Sequence, residues 1–311
     1  MKYSSKPTNR LRSFTLEGGS WRAVLPFLMP AFIFVFAVLI FPALYSLYAS
    51  LFKWPLNDAS AREFIGLNNY ITLFKDPEFW NSLRLQFGFI IIAIPIELVL
   101  GFAAALLLNR EFPGGGIVRS LILLPVFVLP VISGFTWRFM LQPGYGPINW
   151  IINALGGKEI LWLNDPSLAY VAVIIQDIWR MWPFMFMLLY AGLTTIPQEM
   201  YEAARIDGAS WGQSFRLITL PMLKPTIITA LLLRLIDALR IFSEVYTMTE
   251  GGPGSATLLF SLYTHRQAFS YFKVGLASAM AILLLILSVS IALILVRKNM
   301  KIEEFEKGAD A

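Results

Sequence analysis

The sequence predicts an all-α integral membrane protein with six transmembrane helices, and three observations carry that prediction. Hydrophobic residues are 57% of the 311 residues and charged residues 14%, with a mean hydropathy of +0.65. Soluble domains average about 45–50% apolar and about 25% charged, so this composition belongs in lipid. Six apolar runs reach the roughly 20 residues that a bilayer requires. The segments between them alternate between rich and poor in Lys and Arg.

The absence of cysteine excludes disulfides, thiolate catalysis and cysteine metal sites. One histidine, His265, is too few for a histidine-based metal site or triad. The net charge of +5 is spread over membrane-flanking segments, which suits orientation in a bilayer and not nucleic-acid binding.

Residues 1–23 form a cationic tail bearing Lys2, Lys6, Arg10, Arg12 and Arg22. The apolar run from Val24 to Phe52 is too long for a cleaved signal peptide and reads as an uncleaved first membrane helix. Further spans are predicted over 82–108, 117–141, 168–193, 223–247 and 274–296. The chain therefore divides into the tail (1–23), a first helix with its external loop (24–81), a five-helix core (82–296) and a mixed-charge C-terminal tail (297–311). With the N-terminus inside, the internal segments carry 14 Lys and Arg and the external loops 6. That asymmetry places both termini and the polar stretch 196–225 in the cytoplasm. Trp54, Tyr70, Trp80, Trp150 and Trp162 fall in external loops, where they read as an aromatic belt. Pro113-Gly-Gly-Gly116 reads as a tight turn. No Gly-x4-Gly-Lys-Ser/Thr occurs in the chain, so any nucleotide that drives it must bind another subunit.

The stretch 196–225 is the most specific signal. Pro197 suits the first turn of a helix, and Glu199 and Glu202 bring negative charge near its positive end. Gly208 supplies a residue able to take positive φ and end that helix. Ser210 offers an N-cap to a second helix with Trp211, Phe215 and Ile218 on one face. Pro221 and Pro225 mark the bend into the next span. Glu202-Ala203-Ala204, three residues, Gly208, nine residues and Ile218-x-Leu220-Pro221 together resemble the EAA loop of permease subunits in bacterial ABC importers. Residues 63–83 and the run Asp237 to Pro253 are similar to the carbohydrate branch of that family, the maltose/glycerol-phosphate type, and to its first subunit more than its second. The resemblance covers roughly residues 24–296. It implies the MetI-like ABC permease fold with a cytoplasmic coupling helix, in the bacterial cytoplasmic (inner) membrane. It also implies a second homologous permease subunit, two cytoplasmic ATPase subunits that bind ATP and Mg, and an external solute-binding protein. The chain itself would catalyse no reaction. Transport would proceed by alternating access, with Glu202, Ala203, Ala204, Asp207 and Gly208 coupling it to the ATPase.

Ionisable residues inside spans are costly and usually face a partner or an aqueous path. The fifth span holds Arg234, Asp237, Arg240 and Glu244, and on a continuous helix Asp237–Arg240 and Arg240–Glu244 would neutralise one another. The fourth adds Gln176, Asp177, Trp179, Arg180 and Trp182 before Pro183. Two readings stand. These groups are packing salt bridges, or Trp179, Arg180, Trp182, Asp237, Arg240, Glu244 and Tyr246 line a carbohydrate path in which rings stack on sugar C–H faces. A rival mechanism is a secondary transporter or channel driven by an ion gradient, with Asp237, Arg240 and Glu244 as a relay. Glu97 and the arginines at 84 and 138 read as lying near span ends or beside Pro95 and Gly101, the arginines snorkelling to the interface.

Overall fold

A computed structural model describes residues 21–309, and the predicted tail up to residue 20 lies outside them. Helices α1 (Trp21–Val35) and α2 (Phe41–Ser50) are joined by a π-helical turn over Phe36–Ile40 into one continuous rod. It leads to a two-stranded hairpin of β1 (Phe52–Lys53) and β2 (Glu63–Phe64), and then α3 (Asn68–Lys75) and α4 (Pro77–Leu108). Next come four short helices, α5 (Gly115–Ile122), α6 (Leu124–Phe127), α7 (Pro130–Met140) and α8 (Pro147–Ala154). The long α9 (Pro166–Thr194) precedes α10 (Gln198–Ile206), α11 (Trp211–Ser214) and α12 (Leu220–Leu239). The chain closes with α13 (Ser243–Thr249), α14 (Phe260–His265) and α15 (Val274–Ala309). Helix α15 does not stop at 296 but runs on through the mixed-charge stretch.

Among the described residues, four helical segments are long and apolar enough to cross a membrane: Phe27–Ser50, Pro77–Leu108, Pro166–Thr194 and Val274–Arg297. The other two predicted spans are broken. Over 117–141 the chain leaves the helix at Val128 and Leu129, both extended, because a residue before proline is pushed out of the α region and Pro130 restarts the helix. Over 223–247 the break falls at Arg240–Phe242, where Phe242 takes φ −144° and ψ −59°. Hydropathy does not register such breaks, since it averages side chains over a window and does not see the backbone turn. Pro221 lies in the first turn of α12 and Pro225 in its interior. Helix α12 absorbs both after a π-helical turn over Phe215–Thr219, a register that shifts hydrogen bonds where an N–H is missing.

Helices α4 and α9 form the central pair. A Cβ on Gly101 would lie 2.6 Å from Met185 Cβ and 2.7 Å from the Phe186 nitrogen, so only glycine lets the two backbones come this close. Buried Phe89, Met185, Leu239, Val245 and Met280 belong to the larger core, and Ala105, Phe186, Leu189 and Leu223 to a second cluster beside the α10–α11 hairpin. The N-terminal ends of α4 and α9 are capped by aspartates. Asp76 accepts from the Glu78 N–H at 2.9 Å, and Asp165 from Ser167 and Leu168, each at 2.9 Å. Asn69 ties α3 to the end of α2 by donating to the Ser50 and Phe52 carbonyls.

The aromatic belt is divided. Trp80 and Trp150 are exposed, and Trp54 lies under the Arg62 guanidinium at 4.9 Å. Tyr70 and Trp162 pack on the core instead, with the Tyr70 hydroxyl 2.8 Å from Ser50 Oγ. The glycine-rich turn is tight, with Gly114 at φ +78°. Arg119 then closes the end of α4 by donating to the Leu108 and Arg110 carbonyls.

Candidate coupling hairpin and membrane charge cluster

The α10–α11 hairpin is built from local chemistry. Pro197 sits one place earlier than expected, at the N-cap, and Glu199 occupies the first turn of α10. Gly208 has φ +78°, and the Ala209 N–H donates to the Ala204 carbonyl at 2.9 Å, a left-handed termination of the helix. Ser210 and Gln213 then form a reciprocal capping box: Ser210 N–H donates to Gln213 Oε1 at 2.7 Å and Gln213 N–H to Ser210 Oγ at 3.3 Å. Removing the hydroxyl with Ser210→Ala should destabilise this turn by about 1 kcal/mol, read as faster amide exchange over residues 211–214.

No residue of α10 is buried. Glu202, Ala203, Asp207 and Gly208 are exposed and Ala204 is half-buried. Ile206 is 86% and Trp211 71% exposed, two large apolar side chains that a water-bathed hairpin has no reason to present. Ile206 escaped the sequence reading because it lies between charged neighbours. The hairpin is held to the bundle by the Tyr201 hydroxyl, 2.9 Å from Thr219 Oγ1, and by Phe215 between Trp211 and Phe102. Between it and the ends of α4 and α9 is a cleft of about 670 Å³ that includes Asn109, Arg110, Tyr201 and Arg205.

The membrane charges pair differently from expectation. Arg234 and Glu97 are both fully buried and meet in a bidentate pair, with Arg234 Nε to Glu97 Oε2 at 2.7 Å and Nη2 to Oε1 at 2.9 Å. Arg234 Nη2 also donates to Asp177 Oδ2, and Nη1 reaches Asp237 Oδ2 at 3.2 Å. Arg180 pairs with Glu244 at 2.7 Å. The expected Asp237–Arg240–Glu244 ladder does not form, because α12 ends at Leu239 and Arg240 caps it, so Glu244 leaves on another axis. Among the described residues Arg240 has no ion-pair partner. Glu97 lies in the middle of α4, between Pro95 and Gly101. Arg138 holds Glu250 at 3.3 Å across to the loop after α13.

The aromatic residues fall into separate groups. Trp179 packs on Trp137, with ring centroids 5.9 Å apart. Tyr246 stacks on Phe242 at 5.4 Å, and His265 joins both at 5.6 and 4.9 Å. Trp182 packs instead on the second cluster beside the hairpin. His265 was missed as a member of this group, since a lone histidine has no spacing to read. Helix α13 lies close on α7, where a Cβ on Gly134 would sit 2.8 Å from the Glu244 carbonyl. Among the described residues no group of three or more His, Cys, Asp or Glu could hold a metal ion.

Comparison with known proteins agrees with this architecture. Residues 97–301 match the family model described as binding-protein-dependent transport system inner membrane component. The trehalose/maltose transport system permease protein MalF of Thermococcus litoralis is 41% identical over 84% of this chain and 86% of its own. The sulfoquinovosyl glycerol transport system permease protein SmoG of Agrobacterium fabrum is 37% identical over 82% and 83%. A chain of a bacterial ABC transporter involved in import of the acidic polysaccharide alginate superposes with TM-score 0.78 at 22% identity, covering 89% of this chain and 95% of that one. An all-helical bundle, an exposed hairpin bearing Glu202–Gly208 and a matched segment spanning both lead to one assignment. This chain belongs to the family of binding-protein-dependent ABC transport permeases of the inner membrane.

Proposed function

We propose that this chain is one permease subunit of an ATP-driven importer that moves a sugar or sugar derivative across the cytoplasmic membrane by alternating access. It works with a second homologous permease, two cytoplasmic ATPases that bind ATP and Mg, and an external solute-binding protein. Six crossings, two of them broken helices, leave both termini cytoplasmic. The observation that carries the reading is α10, a motif-bearing helix with no buried residue, followed by exposed Trp211. Such a surface is costly unless another protein covers it. Docking in an ATPase cleft would use Glu202 and Asp207 for polar contact and Ala203 and Ala204 for close approach, with Gly208 making the turn. The hairpin continues directly into α12, so its displacement would move the broken segment that carries Arg240 and Tyr246.

The sugar assignment is supported by relatives named for trehalose/maltose, sulfoquinovosyl glycerol and trehalose transport. Trp179, 37% exposed, and Tyr246, 43% exposed, offer ring faces at the two aromatic groups, while Arg180 and Glu244 supply hydrogen-bonding groups between α9 and α13. Losing one stacking face should raise the apparent KM roughly tenfold. Trp179→Ala and Tyr246→Ala, tested for uptake of labelled disaccharides by the assembled transporter, should show that rise at an unchanged amount of complex. Unchanged KM in both would remove these residues from the path.

A further inference from the structure

Arg234 makes polar contacts to α4 and α9 from α12. Its guanidinium is fully buried and gives Nε and one Nη2 proton to Glu97 on α4, the other Nη2 proton to Asp177 on α9, and Nη1 to Asp237 on its own helix. Glu97 and Asp177 are likewise fully buried. A planar five-donor fork can hold three carboxylates in fixed directions; an ammonium cannot. One turn further along α9, Arg180 takes Glu244 of α13 at 2.7 Å. Helix α9 therefore grips the chain on both sides of the break at Arg240–Phe242, through Asp177 before it and Arg180 after it.

The two grips differ in kind. At the Arg234 node the guanidinium, Glu97 and Asp177 are fully buried and joined by several bonds, with Asp177 Oδ1 unpartnered and only Asp237 reaching the surface. The Arg180–Glu244 contact uses one nitrogen, leaves Arg180 Nε without a partner and is slightly exposed, at 11% and 5% of the side chains. A buried ion pair is weak support for stability, because desolvation offsets its Coulomb gain; geometric specificity is the better-attested use. We infer that Arg234 is a positioning residue for transport: with Glu97 and Asp177 it locks α4, α9 and α12 into one body, so that movement of the α10–α11 hairpin reaches α13 instead of being lost in slippage between helices.

This inference rests on the proposed ATP-driven transport. The test uses the complete complex in proteoliposomes and measures ATP hydrolysed per substrate imported. Arg234→Lys keeps the charge and loses the fork, and Glu97→Gln keeps the volume and loses the charge, so the outcome does not hang on one variant folding. Each should raise the ratio about tenfold while hydrolysis continues. Arg138→Gln, at the exposed ion pair with Glu250 outside this node, should leave the ratio within about twofold. A merely structural role would lower the yield of complex and leave the ratio of the assembled fraction at the wild-type value, and that result would overturn the inference. Wild-type uptake that needs no ATP would instead overturn the transport reading beneath it, a distinguishable failure.

Discussion

Gly208→Pro should lower ATP-driven uptake by about two orders of magnitude while the chain still inserts in the membrane. Proline is locked near φ −65°, whereas this position stands at +78°. The substitution also removes the N–H that Gly208 donates to the Arg205 carbonyl at 3.1 Å. The hairpin cannot then turn where it does, and α11 with its Trp211 would be re-aimed. Gly208→Ala is the control. No atom lies within 4 Å of the Cβ it adds, so its cost is the left-handed backbone alone, about 1–2 kcal/mol. Glu202→Arg is expected to match the proline variant in uptake for another reason. Glu202 is exposed on α10, so the reversal should disturb folding by no more than about 0.5 kcal/mol. A reversed charge at a docking surface costs several kcal/mol of association. Uptake and membrane level, measured together on the same vesicles, check both variants.

Gly101→Leu should have the largest effect on the fold itself. The nearest neighbours of an added Cβ include the backbone of Met185 and Phe186, at 2.7–2.9 Å, which cannot rotate aside as a side-chain tip can. Overpacking in a core typically costs about 1–3 kcal/mol, and here the α4–α9 pair must separate, so about 3 kcal/mol or more is expected. Thermal unfolding in detergent should register it as a large drop in Tm. Gly116→Ala and Gly212→Ala add their Cβ to open space and should not lower stability.

These sites also mark where the sequence was legible. The hairpin could be read to within a residue or so because its signals are local: Gly208 ends one helix, and Ser210 with Gln213 starts the next three residues on. The first, second, fourth and sixth spans were legible from length and hydropathy for the same reason. What could not be read was any feature set by distant partners. Arg234 finds Glu97 across 137 residues and Asp177 across 57. A helical wheel drawn through residues 234–244 assumes an unbroken axis, and it pairs Arg240 with carboxylates that in fact turn elsewhere. Phe242 carries no breaker chemistry, so nothing in the local sequence announces that the axis ends at Leu239. The break within the third span was hidden differently, since Pro125 and Pro130 stand in the sequence but an apolar count gives them little weight.

The most direct test of the central claim is uptake of a labelled sugar by right-side-out or reconstituted vesicles that contain the complete complex, with and without ATP on the ATPase side and with and without an uncoupler. The account predicts uptake that requires ATP, persists when the ion gradient is collapsed and disappears in Gly208→Pro. Uptake that continues without ATP and stops at once on adding uncoupler would contradict it, and would leave the charges around Arg234 and Arg240 to be read as part of an ion-driven path.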